Sequence, residues 1–149
     1  MDSLLIHWGE FGAVAVLGFA ALGSALGCGT AGMAAVGAWK RRFMQNKLAQ
    51  FQLIIFVGAP MTQTFYGFIV MLQLMKTPST PETFMARLAA GIVGGLAIGA
   101  SALYQGKAAA AACDAFGETE KGFANDLLVL GVVESIALLV MVFLILYVK

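Results

Sequence analysis

Charged side chains along this chain fall in clusters and leave four long apolar stretches between them. No charge lies between Glu10 and Lys40, and the cluster Lys40-Arg41-Arg42 with Lys47 follows. A second uncharged run goes from Leu48 to Met75 and ends at Lys76-Thr77-Pro78-Ser79-Thr80-Pro81-Glu82. A third begins after Arg87 and fades between Lys107 and Asp114; the last, Leu127 to Val148, is interrupted by one charge, Glu134. Each run is about 22–28 residues, or roughly 33–42 Å as helix, enough to cross a hydrocarbon core of about 30 Å. The pattern predicts an all-α membrane protein with four transmembrane helices, near 11–38, 51–75, 87–112 and 124–147. They pair as two tandem hairpins, 1–75 and 87–149, joined by a loop at 76–86.

The four spans are of two kinds. Spans one and three are crowded with small residues, Gly12, Gly18, Gly23, Gly27, Gly29, Gly32 and Gly37 in one, Gly91, Gly94, Gly95, Gly99, Gly106 and Ala108–Ala112 in the other. Spans two and four are bulky throughout. Gly23-Ser24-Ala25-Leu26 and Ala31 echo Ala100-Ser101-Ala102-Leu103 and Ala108, so the second hairpin reads as a duplicate of the first. In lipid, helices associate through packing, and small residues let backbones approach. A ring with thin helices on its crowded inner circle and bulky ones facing lipid suits this alternation. A plain four-helix bundle also satisfies it.

Composition sharpens the class. Of 149 residues, 60% are hydrophobic and 11% charged, against roughly 45–50% and about 25% in soluble domains. The length suits one compact unit. A net charge of +1 gives no basic excess for nucleic acid. Cys28 and Cys113 are too few for a disulfide framework and read as small packing residues. The N-terminus, with Asp2 and Glu10 in place of a basic region, does not read as a secretory signal. Lys40, Arg41, Arg42 and Lys47, with Lys107 and Lys121 in the other hairpin loop, outnumber Lys76, Arg87 and Lys149. The expected orientation therefore has both hairpin loops cytoplasmic and both termini outside, in a cell membrane. Asp114, Glu118, Glu120 and Asp126 narrow that margin.

The candidate chemistry is inside the membrane. Glu134 stands mid-span, where a charged carboxylate facing lipid costs at least about 2.5 kcal/mol, so it must be protonated, paired or bound to a cation. In span two, Ala59, Thr62, Gln63 and Tyr66 fall at i, i+3, i+4 and i+7, on one helical face. Pro60 has no N–H, which frees a carbonyl (nominally that of Phe56) and kinks the helix; the same kink can turn the Ala59 carbonyl aside. Gln105 sets a second amide deep in span three. Taken singly, each group reads as a helix–helix hydrogen bond. Together, one carboxylate, two amide oxygens, a hydroxyl and a freed carbonyl match a hard monovalent cation, whereas a proton needs only the carboxylate. Gly27-Cys28-Gly29-Thr30-Ala31-Gly32 spells a dinucleotide-binding pattern but has no preceding strand, and Gly106-Lys107 lacks the rest of a phosphate loop. No nucleotide is expected on this chain. His7 reads as an interfacial residue.

The chain resembles the duplicated four-helix proteolipid (c or K) subunit of V-type and bacterial or archaeal V/A-type ATPases. Pro60-Met61-Thr62-Gln63-Thr64-Phe65-Tyr66-Gly67-Phe68, Ser101-Ala102-Leu103-Tyr104-Gln105-Gly106-Lys107 and Val133-Glu134-Ser135 are similar to the motifs of its sodium-translocating branch. The resemblance implies a non-catalytic subunit, many copies of which form a rotor ring in lipid and carry the ion on Glu134. The implied Na+ ligands are the Ala59 backbone carbonyl and the side chains of Thr62, Gln63, Gln105 and Glu134, with Tyr66 closing the site through a hydrogen bond to Glu134. The implied partners are a stator subunit with a basic residue in the membrane and a central stalk docking on the loops at 39–50 and 113–123. Gln63 stands where a second carboxylate could sit, so each copy is expected to carry one ion. Met61 and Thr64 stand where that branch usually has glycine, and Ala59 where it has leucine. The alternatives are the same rotor carrying H+ and, from a different class, a small four-helix cation antiporter.

Overall fold

In the computed structural model, which describes residues 1–148, the chain is helical from end to end and contains no strand among those residues. Lys149, counted above with the basic residues of the outer side, lies outside them. The first span is one helix, α1 (Asp2–Met44), which runs well past both ends of the apolar 11–38 stretch. The second is α2 (Leu53–Gly58), a single 3-10 turn at Ala59–Met61, and α3 (Thr62–Met75). The third is α4 (Phe84–Ala89), a π turn at Ala90–Gly94, and α5 (Gly95–Thr119); the fourth is α6 (Phe123–Tyr147). All four are long and apolar enough to cross a membrane.

The first and third spans lie side by side, and their glycines explain how closely. A β-carbon placed on Gly91 would collide with the backbone of Gly12, one on Gly23 with Gly99, and one on Gly106 with Gly27. Only hydrogen fits between the two backbones at these three levels. The π turn coincides with the Gly12–Gly91 approach, where the widened backbone of the third span meets α1. Gly27 also receives the Pro60 ring, so the break in span two rests on the thin face of α1. The glycines of the dinucleotide-like pattern separate accordingly: Gly27 sits in this seam, while Gly29 faces open space.

Spans two and four lie outside that pair. The two apolar clusters occupy opposite ends of the bundle. One gathers Leu53, Phe56, Cys113, Phe116 and Leu130, with the rings of Phe56, Phe116 and Phe123 at centroid distances of 5.2–6.2 Å. The other gathers Val16, Ala20, Val70, Leu74 and Ile98. Between them α6 contributes little buried surface: only Leu130 and Ala137 are fully covered. At the hairpin-loop end Arg41 pairs with Asp114 and Glu118, and Arg42 with Glu120. Three of the four acidic residues that narrowed the charge margin, Asp114, Glu118 and Glu120, are thus the partners of the basic cluster. Trp39 donates to the Gln50 carbonyl and Gln50 to that of Phe116, tying the 45–52 turn to α5.

Candidate functional site

Glu134 lies near the middle of α6, half-buried against spans two and three. The Tyr66 hydroxyl donates to its Oε1 at 2.6 Å, and the Gln105 amide donates to its Oε2 at 3.1 Å. Both carboxylate oxygens are therefore acceptors. Behind them runs a directed chain. Gln63 donates to the Gln105 amide oxygen at 2.7 Å, and Thr62 lies within hydrogen-bond reach of the Gln63 amide oxygen at 3.2 Å. Gln63 and Gln105 are both 0% exposed, so these bonds form away from water, where an unmade bond is costly.

The 3-10 turn places the span-two members. With Pro60 unable to donate, the helix tightens, and the Ala59 carbonyl accepts from the Thr62 backbone N–H. The Thr62 hydroxyl also stands 3.2 Å from that carbonyl, so the oxygens of Ala59, Thr62 and Gln63 form a contiguous group. The structure thus brings all the expected residues together. Thr62 links Ala59 to Gln63, Gln63 links to Gln105, and Gln105 and Tyr66 flank Glu134. Gln63 spends an N–H on the Gln105 oxygen, and Gln105 spends its own on the carboxylate and on the Leu130 carbonyl. Among the described residues no group of three or more acidic, His or Cys side chains converges on a metal position, and Glu134 is the one carboxylate of this site.

Two supporting contacts escape a reading from residue types alone. Gln105 also donates to the Leu130 carbonyl at 3.0 Å, and the Ser101 hydroxyl donates to the Val133 carbonyl at 2.9 Å. Both reach the α6 backbone just ahead of Glu134 and set the height of the carboxylate against span three. Their signal in the sequence is the i, i+4 spacing of Ser101 and Gln105, which puts both on one face. Ser135, beside Glu134, turns instead to its own helix and donates to the Val132 carbonyl at 2.7 Å. Tyr104 faces outward under Lys107, whose ammonium is 4.7 Å from the ring centroid, so it belongs to the surface of α5.

Two similar halves, each a membrane hairpin, with one carboxylate held between them, define a class of small ion-handling membrane proteins. The model of the ATP synthase C-subunit family matches residues 11–74 and again residues 88–147, and the chain belongs to that family. The two matches also identify the repeat. The chain is similar to the A-type ATP synthase subunit K of Methanocaldococcus jannaschii, 36% identical over 126 residues, which cover 83% of this chain and 52% of that protein. The chain thus spans about half the length of this relative. As a member of that family the chain is a non-catalytic subunit.

Proposed function

We propose that the chain is the proteolipid subunit of a rotary A/V-type ATP synthase or ATPase, many copies forming a ring that turns in the membrane, and that each copy carries one Na+ at Glu134. The observation that carries this reading is the paired arrangement around one intramembrane carboxylate. Two donors hold its oxygens, while the oxygens of Ala59, Thr62 and Gln63 stand together on the adjoining span. A cation entering between the spans replaces the Gln105 N–H at Glu134. The amide nitrogen keeps its second bond to the Leu130 carbonyl, and the amide oxygens turn to the ion. Tyr66 continues to donate to the carboxylate and closes the site.

A loaded site is neutral, and neutrality lets α6 face lipid, where an empty carboxylate is penalised. The ion enters from one aqueous half-channel and leaves by another, displaced by a basic residue of a stator subunit. One charge crossing 100 mV exchanges about 2.3 kcal/mol, so several ions pass for each ATP turned over by partner subunits. In this reading the loops at 39–50 and 113–123 face the cytoplasm and meet the central stalk, and both termini lie outside the cell membrane.

A second reading, the same rotor carrying H+, draws on a specific feature. The Gln63–Gln105–Glu134 chain satisfies its own hydrogen bonds without an ion. Carbodiimide labelling of Glu134 at fixed pH separates the two. Sodium slows the labelling if sodium is the cargo, and labelling indifferent to sodium favours the proton. Family membership speaks against the four-helix antiporter, and native mass spectrometry of the purified assembly checks this: a closed ring of many copies excludes a dimer.

A further inference from the structure

Arg87 stands at the end of the bundle that holds the 76–83 connection, and its surroundings are unlike those of a topology-setting loop residue. It is only 6% exposed. One guanidinium nitrogen, Nη1, donates to the Thr77 carbonyl at 2.8 Å, while its Nε is buried without a partner. The side chain lines a cavity of about 570 Å³ between the end of α3, the connection and the end of α6. Leu74, Pro78 and Val148 give that cavity apolar walls, and Thr80, Thr83 and Tyr147 add hydroxyl groups. Arg87 also borders a smaller cavity of about 320 Å³ shared with Glu10 and Ser79, and the Ser79 hydroxyl is likewise buried without a partner. Among the described residues no carboxylate lies within ion-pair distance of Arg87, Glu10 included.

We propose that the larger cavity binds the phosphate of a membrane lipid headgroup on Arg87, with the lipid's hydrocarbon lying along Leu74 and Val148. A buried guanidinium with no carboxylate at ion-pair distance calls for an anion, and its geometry favours phosphate oxygens. The position selects the source. The cavity lies where four membrane-crossing helices end, at the depth of headgroups, and most of its wall is apolar surface that a free phosphate would leave uncovered. Tyr147 at the rim fits the aromatic belt of a membrane interface. The site is remote in sequence from Glu134 and its partners, and the proposal does not depend on which ion they carry.

The test uses the full-length chain, purified in detergent, stripped of lipid and read by native mass spectrometry. Dioleoyl-phosphatidylglycerol is expected to be retained, and dioleoylglycerol, which lacks the phosphate, is not. Arg87→Gln should lower retention at least about tenfold, while Lys76→Gln leaves it unchanged. Because Arg87 also holds the connection through Thr77, Ala86→Leu serves as a second variant: it fills the cavity, keeps the Thr77 bond and should lower retention to a similar degree. Equal retention by the wild-type chain and both variants would overturn the proposal, as would equal retention of the phosphate-free lipid. Inorganic phosphate retained in place of the lipid would overturn the lipid as source.

Discussion

The seam between α1 and the third span and the attachment of α6 are held by opposite means. In the seam, glycines at three levels bring backbone against backbone, and nothing larger than hydrogen fits. On α6 only two side chains are fully buried; partly buried ones such as Phe123 and Leu144 pack beside them, and a few polar bonds fasten the helix: Ser101 to Val133, Gln105 to Leu130 and Glu134, and Tyr66 to Glu134. The inner pair is a fixed frame, and the helix carrying the acid is fastened to it at the height of the acid. Packing sets where the frame is; hydrogen bonds help set where the carboxylate is. A loosely packed outer helix also leaves its surface free for whatever surrounds the protomer.

Substitutions that act on only one side of this contrast should separate the two roles. The largest effect is expected from Glu134→Gln, which removes the ionisable group and leaves the frame intact. Assembly should persist while ion flux, measured in reconstituted complexes, falls to background. Gly106→Val should do the reverse. Its side chain meets the Gly27 backbone, and such overpacking costs typically 1–3 kcal/mol, so the folded assembly should be lost in detergent at temperatures the parent survives. Gly18→Ala is the matched control, because within the chain nothing lies within 4 Å of its β-carbon position, and no loss of melting is expected.

Smaller effects should come from the fastening. Gln105→Leu removes two donors and leaves the Leu130 carbonyl and Glu134 Oε2 without that partner. Gln63→Leu removes one donor, to Gln105. Carbodiimide reactivity of Glu134 should therefore change more in the first variant than in the second; equal changes would mean that the carboxylate is positioned by packing alone. Tyr66→Phe leaves the Gln63–Gln105 chain intact. It deletes one hydrogen bond to the carboxylate, worth about 1.5–3 kcal/mol when the acceptor is charged, so labelling should speed up roughly tenfold and melting should fall by a few degrees.

Much of this contrast can be read from the residues. Long gaps between charges mark the spans, and a single acid inside the last of them marks the candidate site, because both follow from the cost of charge in hydrocarbon. The spacing Ala59, Thr62, Gln63, Tyr66 places those groups on one face, and Pro60 marks the break that appears as the 3-10 turn. Three features stay hidden for physical reasons. Small residues announce close packing but not which glycine meets which. An amide can donate or accept, so the direction of the chain from Thr62 to Glu134 emerges only when the helices are docked. Arg87 reads as a loop charge, yet the return of the 76–83 connection over it buries the guanidinium.

One consequence follows from where the two clasps on Glu134 originate. Tyr66 belongs to the first repeat and Gln105 to the second, so neither repeat owns a working unit by itself. Cutting the chain between Met75 and Phe84 would yield one fragment with the acid and one of its clasps, and another with only the remaining clasp. Duplication has here produced interdependence in place of redundancy, and damage to either copy has no spare to fall back on.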